Sequence, residues 1–386
     1  MRRDGQLWRN LRLRAGLIQA VLLLLAVWLV WSMAANTAQN LAARNIVSGW
    51  AFLWRPAGFD ISFSLIPYVS EDSYARALMV GFLNTLLVAA LGIVLATLLG
   101  LLLGMMRLSA NWIVSRAAAL YIEIVRNVPL LLQLFVWYKL VLKPLPDARD
   151  ALEIDGIAAL SNKGLTLPAP WFGAGAWSAA LGFLVAAVAS ILLHRWATAR
   201  QARTGAYFPA GITVLILIIG VPVVFFAAAG WPVTFDYPVM GTFNFEGGMT
   251  LTPEFMALLA ALSTYTAAFI GEAVRAGIQS VNPGQGEAAQ ALGLNRHATM
   301  RLVILPQALR VVIPPLTSQY LNLTKNSSLA VAIAYPDLVA TGGTALNQTG
   351  QAIEVVTIWM AVYLALSLGT AAFMSWFNVR YRLVER

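Results

Sequence analysis

Glu287, Arg296, His297 and Arg301 stand together in the stretch NPGQGEAAQALGLNRHATMRLVILPQAL, residues 282–309, a polar interval between long apolar runs. A carboxylate there offers a directional acceptor to an Arg or Lys of a partner. A second polar group, Lys325 with Asn326, Ser327 and Ser328, follows a Pro314-Pro315 pair inside an apolar run. An ammonium and hydroxyls at membrane depth either pair with a carboxylate or carbonyls at a helix end, or face water along a path where they would meet a substrate carboxylate. The spacing leaves both readings open. Glu123 and Arg126, and Glu272 and Arg275, repeat a Glu-x-x-Arg spacing that puts both side chains on one helix face. Each pair reads as a local ion pair that makes polar groups tolerable near the bilayer, or as part of a gate.

Other chemistry is excluded by composition. The chain has no cysteine and only two histidines, His194 and His297. Thiolate nucleophiles, disulfides and thiolate metal sites are therefore excluded, and two histidines argue against a histidine-based metal or triad site. No Gly-x-x-x-x-Gly-Lys-[Ser/Thr] loop exists to cradle nucleotide phosphates. An intramembrane protease would need a Gly-x-Ser with a His, or two membrane aspartates, and neither is found.

The elements that must position these residues are membrane spans. The 386 residues are 59% hydrophobic and 11% charged, with a mean hydropathy of +0.72; a soluble domain carries about 25% charged residues. A hydrocarbon core about 30 Å thick takes roughly 20 apolar residues per helix. Eight spans are predicted, over 16–35, 78–106, 117–140, 176–194, 207–229, 254–277, 309–333 and 354–378. The first reads as a retained span, since no small-x-small cleavage site follows it.

Basic residues set the orientation. Five arginines precede the first span, and Arg107, Arg116, Arg195, Arg200, Arg203, Arg296 and Arg301 fall on the same side, as do Arg380, Arg382 and Arg386. Acidic residues such as Asp60, Asp72, Asp147, Asp236 and Glu246 fall on the other. Both termini and the 282–308 loop are thus expected in the cytoplasm. The net charge of +9 is a topology signal, with no nucleic-acid partner implied.

Local chemistry predicts the shape of that loop. Asn282 suits an N-cap, Pro283 the first helical position and Gln285 the capping-box position. Gly293 supplies the left-handed residue that ends the helix. Asn295 caps a second segment, RHATMRLVIL, expected to end near Pro306. Ala288, Ala289 and Ala291 let another backbone approach closely, and have too little apolar area to hold the segment on lipid.

GQGEAAQALGLNRHATMRLVILPQAL resembles the EAA loop of ABC importer permeases, through Glu287, Ala288, Ala289, Gly293, Ile304, Leu305 and Pro306. YIEIVRNVPLLLQLFVWY, FIGEAVRAGIQSVNPGQ and LTKNSSLA are similar to the polar amino-acid branch, the histidine/glutamate/glutamine/arginine type. RNVPL and KNSSL depart slightly from that branch's usual R-G-T-P and K-D-T-S-L. An extra first span and an insertion make the layout look like the permease of general L-amino-acid importers.

The resemblance implies an all-α polytopic fold, the transmembrane domain of a type I ABC importer in the bacterial inner membrane. It divides the chain into a tail, extra span and periplasmic loop (1–76), a first part of the permease core (77–143), an insertion with two spans (144–252) and a second core part (253–386) holding the 282–308 loop. It assigns Glu287, Ala288, Ala289, Gly293, Leu305 and Pro306 to coupling with a separate cytoplasmic ATPase dimer. That partner would use the ATP and Mg²⁺, this chain binding no cofactor. A second homologous permease, a periplasmic amino-acid-binding protein and an L-amino-acid substrate complete the expected assembly. The competing class is a secondary transporter, which needs intramembrane acids or histidines; Glu123 and Glu272 near spans each have an Arg three residues on.

Overall fold

The computed structural model describes residues 11–43, 49–154, 156–206, 208–242 and 244–380. The expected cytoplasmic tail ahead of residue 11, and Arg382 and Arg386 of the C-terminal basic group, lie outside the described residues.

The helices run in the order α1 (Leu11–Ala43), α2 (Tyr74–Arg107), α3 (Trp112–Asn127), α4 (Leu130–Phe135), α5 (Trp177–Thr204), α6 (Ala210–Ala228), α7 (Pro253–Gln279), α8 (Pro283–Ala291), α9 (Arg296–Thr299), α10 (Leu305–Asn326), α11 (Leu338–Thr349) and α12 (Ala352–Arg380). Among the described residues seven helices are long and apolar enough to cross a membrane, and eight if α3 and the helical stretch after it count as one span. The chain is a helical polytopic membrane protein. It forms two compact units, one of Met1–Pro129 with Leu262–Arg386, the other of Leu130–Ala261.

Two prolines act differently from the sequence expectation. The single span expected over 117–140 is broken at Val128-Pro129. Val128 is extended, with φ −97° and ψ 128°, because the proline ring disfavours a helical conformation in the residue before it. At the other, the helix expected to end near Pro306 continues through it. A wide π-type turn, Met300–Ile304, immediately precedes α10, and such a turn lets a helix carry a proline that lacks an N–H and crowds the previous turn.

In the first unit α2 is the central post, and its glycines set how closely neighbours approach. A Cβ on Gly81 would sit 2.8 Å from the Asp337 carbonyl and from Thr341 Oγ1 of α11. A Cβ on Gly100 would meet Ile270 Cγ2 at 2.5 Å, and one on Gly104 would meet Val274 Cβ at 2.8 Å. Gly100 and Gly104 form a G-x-x-x-G pair, the small-residue spacing that lets membrane helices pack backbone to backbone. The sequence reading missed this signal. Phe52, Ala57, Tyr74, Ala77, Ala345 and Val355 form a buried cluster that seats the 49–73 segment on α2, α11 and α12. Glu354 at the start of α12 holds that segment by accepting the Gly49 N–H at 2.6 Å. The α1 helix exposes apolar side chains on all sides, Leu23 and Trp31 among them, as suits a helix bathed in lipid.

In the second unit α5 and α6 form a hairpin. Gly182 lets Pro222 and Phe225 approach to within 2.9 and 3.0 Å of a Cβ built there. The α5 helix runs on past the expected end at 194, so Arg195, Arg200 and Arg203 ride on its last turns before Gly205, at φ 69°, terminates it. Exposed Trp177 and Trp196 bracket a stretch that rises roughly 28 Å at about 1.5 Å per residue, close to the hydrocarbon thickness of about 30 Å. Aromatic rings favour the two edges of that layer. Among the described residues, the segments expected as external loops carry eight short strands. β1 (Leu152–Ile154), β2 (Ala158–Ser161), β3 (Gly164–Leu167) and β8 (Met249–Leu251) make one antiparallel sheet in that order. β4 (Ala169–Phe172) pairs β5 (Val233–Asp236), and β6 (Val239–Met240) pairs β7 (Phe245–Glu246).

Candidate functional site: the polar helix between two spans

The α8 helix is built by its caps. Asn282 Oδ1 accepts the Gly284 N–H at 2.9 Å, and Pro283 occupies the first turn, where a missing N–H costs nothing. At the other end the Leu292, Gly293 and Leu294 N–H groups donate to the Ala288, Gln290 and Ala289 carbonyls. Gly293 closes this turn at φ 79°, a conformation open to glycine at little cost. Asn295 then caps α9, its Oδ1 accepting the Ala298 N–H at 2.8 Å. Gln285 makes no capping-box bond among the described residues; its Oε1 accepts from Gln307 Nε2 at 3.4 Å. Gln307 also donates to the Val303 carbonyl at 2.9 Å, so one side chain bridges the π-type turn and α8.

The faces of α8 divide cleanly. Ala289 is 3% exposed and seats the helix against its own chain. Glu287 and Ala288 face outward, and Leu292 at the helix end is 83% exposed. Glu287 makes no ion pair among the described residues. Arg296, His297 and Arg301 are exposed as well, Leu305 is exposed and Pro306 half-buried. The result is a capped projection that presents the Glu287 carboxylate, the small side chains of Ala288 and Ala291, and the large apolar side chain of Leu292. Such a surface can bind a groove that holds a cation beside an apolar slot. It has no nucleophile, and no cluster of three metal-ligating side chains exists among the described residues.

The Glu-x-x-Arg pairs part company. Glu272 and Arg275 form an ion pair, Nη2 to Oε1 at 2.5 Å and Nε to Oε2 at 2.9 Å, and Arg275 also donates to Gln279. Glu123 and Arg126 are not paired. The Arg126 guanidinium lies 5.2 Å from the ring centre of Phe269, where the π face attracts a cation, and the Glu123 backbone carbonyl accepts from Asn127 Nδ2. Spacing permits the ion pair; a tertiary aromatic neighbour takes the arginine instead.

Residues 325–328 close α10. Lys325 is exposed and Asn326 half-buried. Ser327 is buried, its Oγ donating to the Thr324 carbonyl at 2.7 Å, and Ser328 Oγ donates to the Lys325 carbonyl at 2.8 Å. The 3-10 turn Ser327–Ile333 follows, ended by Ala334 at φ 59°. A separate cavity of about 300 Å³ lies among α2, α7, α10 and α12. Thr97, Leu101, Val274, Val312, Tyr320 and Phe373 are among its lining, which offers no charge to a zwitterion.

The family model described as "Binding-protein-dependent transport system inner membrane component" matches residues 211–386. The general L-amino acid transport system permease protein AapQ of Rhizobium johnstonii is 53% identical over 368 residues, covering 95% of this chain and 92% of that protein. The putative amino-acid ABC transporter permease protein YhdX of Escherichia coli is 49% identical over 98% of this chain and 96% of its own length. The glutamate/glutamine/aspartate/asparagine transport system permease protein BztB of Rhodobacter capsulatus is 42% identical over 97% of this chain and 95% of its own length.

Proposed function

Since this chain belongs to the amino-acid ABC transporter permeases, we propose that it forms the membrane path of a broad-range L-amino-acid importer and is driven through α8. A periplasmic binding protein delivers substrate to it in the bacterial inner membrane, and a second, homologous permease completes the path. ATP and Mg²⁺ are bound and used by a separate cytoplasmic ATPase dimer, so this subunit catalyses no reaction. Both termini and the 282–308 loop face the cytoplasm. ATP-driven closure of the ATPase dimer moves α8, and the spans it is bonded to alternate between inward- and outward-open arrangements. Residues 325–328 lie along the path, with the exposed Lys325 ammonium meeting the substrate carboxylate.

What supports the coupling role is the outward face of α8, where Glu287 makes no ion pair among the described residues and Leu292 is exposed, while both helix ends are locked by caps. A rigid lever with an unsatisfied face transmits motion; a floppy linker would absorb it. The test uses Glu287→Lys, which reverses the docking charge, and Gly293→Val, which puts a β-branched residue at positive φ. Both proteins are expected in the membrane at normal level, with ATP hydrolysis uncoupled from uptake or the ATPase lost on purification. Normal coupled uptake by both variants would refute the assignment.

A further inference from the structure

Asp337 is fully buried, at 0% exposure, at the junction of α2, α11, α12 and the 3-10 turn Ser327–Ile333. It caps α11, its Oδ1 accepting the Ala340 N–H at 2.8 Å. Its second oxygen, Oδ2, has no hydrogen-bond partner. Two more buried polar atoms of the same region are also without one, Asn84 Oδ1 and Thr341 Oγ1, and the Tyr363 hydroxyl lies close enough to the carboxyl to act on it. Around them the junction is tightly bonded. Asn84 Nδ2 donates to the Phe63 and Pro336 carbonyls, each at 2.8 Å, and Thr85 Oγ1 accepts the Leu338 N–H at 3.0 Å. Trp359 Nε1 donates to the Leu338 carbonyl at 3.0 Å. Buried polar atoms of native proteins almost always find partners, so an unpartnered carboxyl oxygen in a region with two further unpartnered polar atoms needs a physical cause.

No cation supplies it. Asp337 forms no ion pair among the described residues. Among the described residues, the titratable groups facing it are phenols, Tyr335 from its own segment and Tyr363 from α12. The α2 side presents neutral Asn84 and Thr85, and the 3-10 turn presents Ser327. Lys325 is exposed, and Glu354 on α12 is engaged with Gly49. An unpaired carboxylate is costly in such a place, and neutralising it removes the cost.

We propose that Asp337 is a proton-binding site: the junction takes up one proton from solution onto Oδ2 as it packs, which turns that oxygen into a donor toward the neighbouring hydroxyl and amide oxygens. The bond formed is O–H on the carboxyl group, and the proton returns to solution when the junction opens or unfolds. Burial, the largest influence, pushes the Asp337 carboxyl up to about 7, against the opposing pull of the α11 backbone N–H groups and the Tyr363 hydroxyl. Because the packed state binds the proton more tightly than an open one, its stability is complete below the ordinary carboxylate range. It falls as pH rises from there to about 7 and is level beyond. The slope for one proton is about tenfold in the packing equilibrium per pH unit.

The experiment is thermal unfolding of the complete importer complex between pH 5 and 8, for the wild type, Asp337→Asn and Tyr363→Phe, in choline and in sodium salts. The wild type should lose stability relative to Asp337→Asn as pH rises, levelling near 7. Tyr363→Phe, which removes a hydroxyl dipole that favours the charged carboxylate, should move that levelling point upward. Should Asp337→Asn fail to assemble, the infrared C=O band of a neutral carboxylic acid in the wild type, shifted by Tyr363→Phe and bleached toward pH 8, gives the same answer. Equal pH slopes in the wild type and Asp337→Asn, or absence of the neutral-acid band, would overturn the proposal. So would stability that follows sodium in place of pH, since that would make the oxygens a cation site.

Discussion

Leu292→Ala separates docking from folding. With 83% of the side chain in solvent, truncation removes almost no contact made within this chain, so folding stability should be unchanged. If the face of α8 is docked on an ATPase, the same side chain is buried in the assembly. Removing three carbons at ~0.8 kcal/mol each, reduced to the exposed fraction, forfeits ~2 kcal/mol of docking free energy. That is about a 30-fold loss of affinity. The assay pairs thermal unfolding of the purified permease with titration of the ATPase subunits onto permease in nanodiscs. Leu323→Ala is the opposite control. Leu323 is fully buried, so its truncation should cost ~2–5 kcal/mol of stability and leave docking affinity alone. An affinity for Leu292→Ala within threefold of wild type would refute the docking face, and a drop in its unfolding temperature like that of the control would refute the reading of Leu292 as free in its own chain.

Gly100→Val should destabilise the permease by ~1–3 kcal/mol through overpacking, because its Cβ would fall 2.5 Å from Ile270 Cγ2; an unfolding temperature equal to wild type would show that α2 and α7 are not in close contact. Reporter fusions after Arg203 should read cytoplasmic and one near Asp236 external; the reverse pattern would put α8 on the wrong side for an ATPase. Single cysteines, clean to introduce because the chain has none, should show substrate-protected labelling within 311–334 and none within 176–229. Protection confined to 176–229 would make the α5–α6 hairpin part of the path.

Much of this protein was legible along the chain because the causes are local. An apolar run long enough to span a bilayer makes a helix wherever it sits, and Asn282, Pro283, Gly293 and Asn295 act on N–H groups or dihedrals within a few residues of themselves. The α8 helix was therefore readable to its caps, and so was the family its residues resemble. Breaks were readable in principle and misjudged in degree: Val128-Pro129 interrupts a span, whereas Pro306 is carried through by a widened turn that only the assembled helix reveals. Other features have causes far apart in sequence. Arg126 and Glu123 have the spacing of a pair, yet Phe269 holds the arginine. Gly100 and Gly104 mean close packing only once Ile270 and Val274 are known to face them. The junction around Asp337 joins residues of α2 to residues more than 250 positions later. Solvent exclusion there is a property of four packed elements together, and no window of sequence contains it.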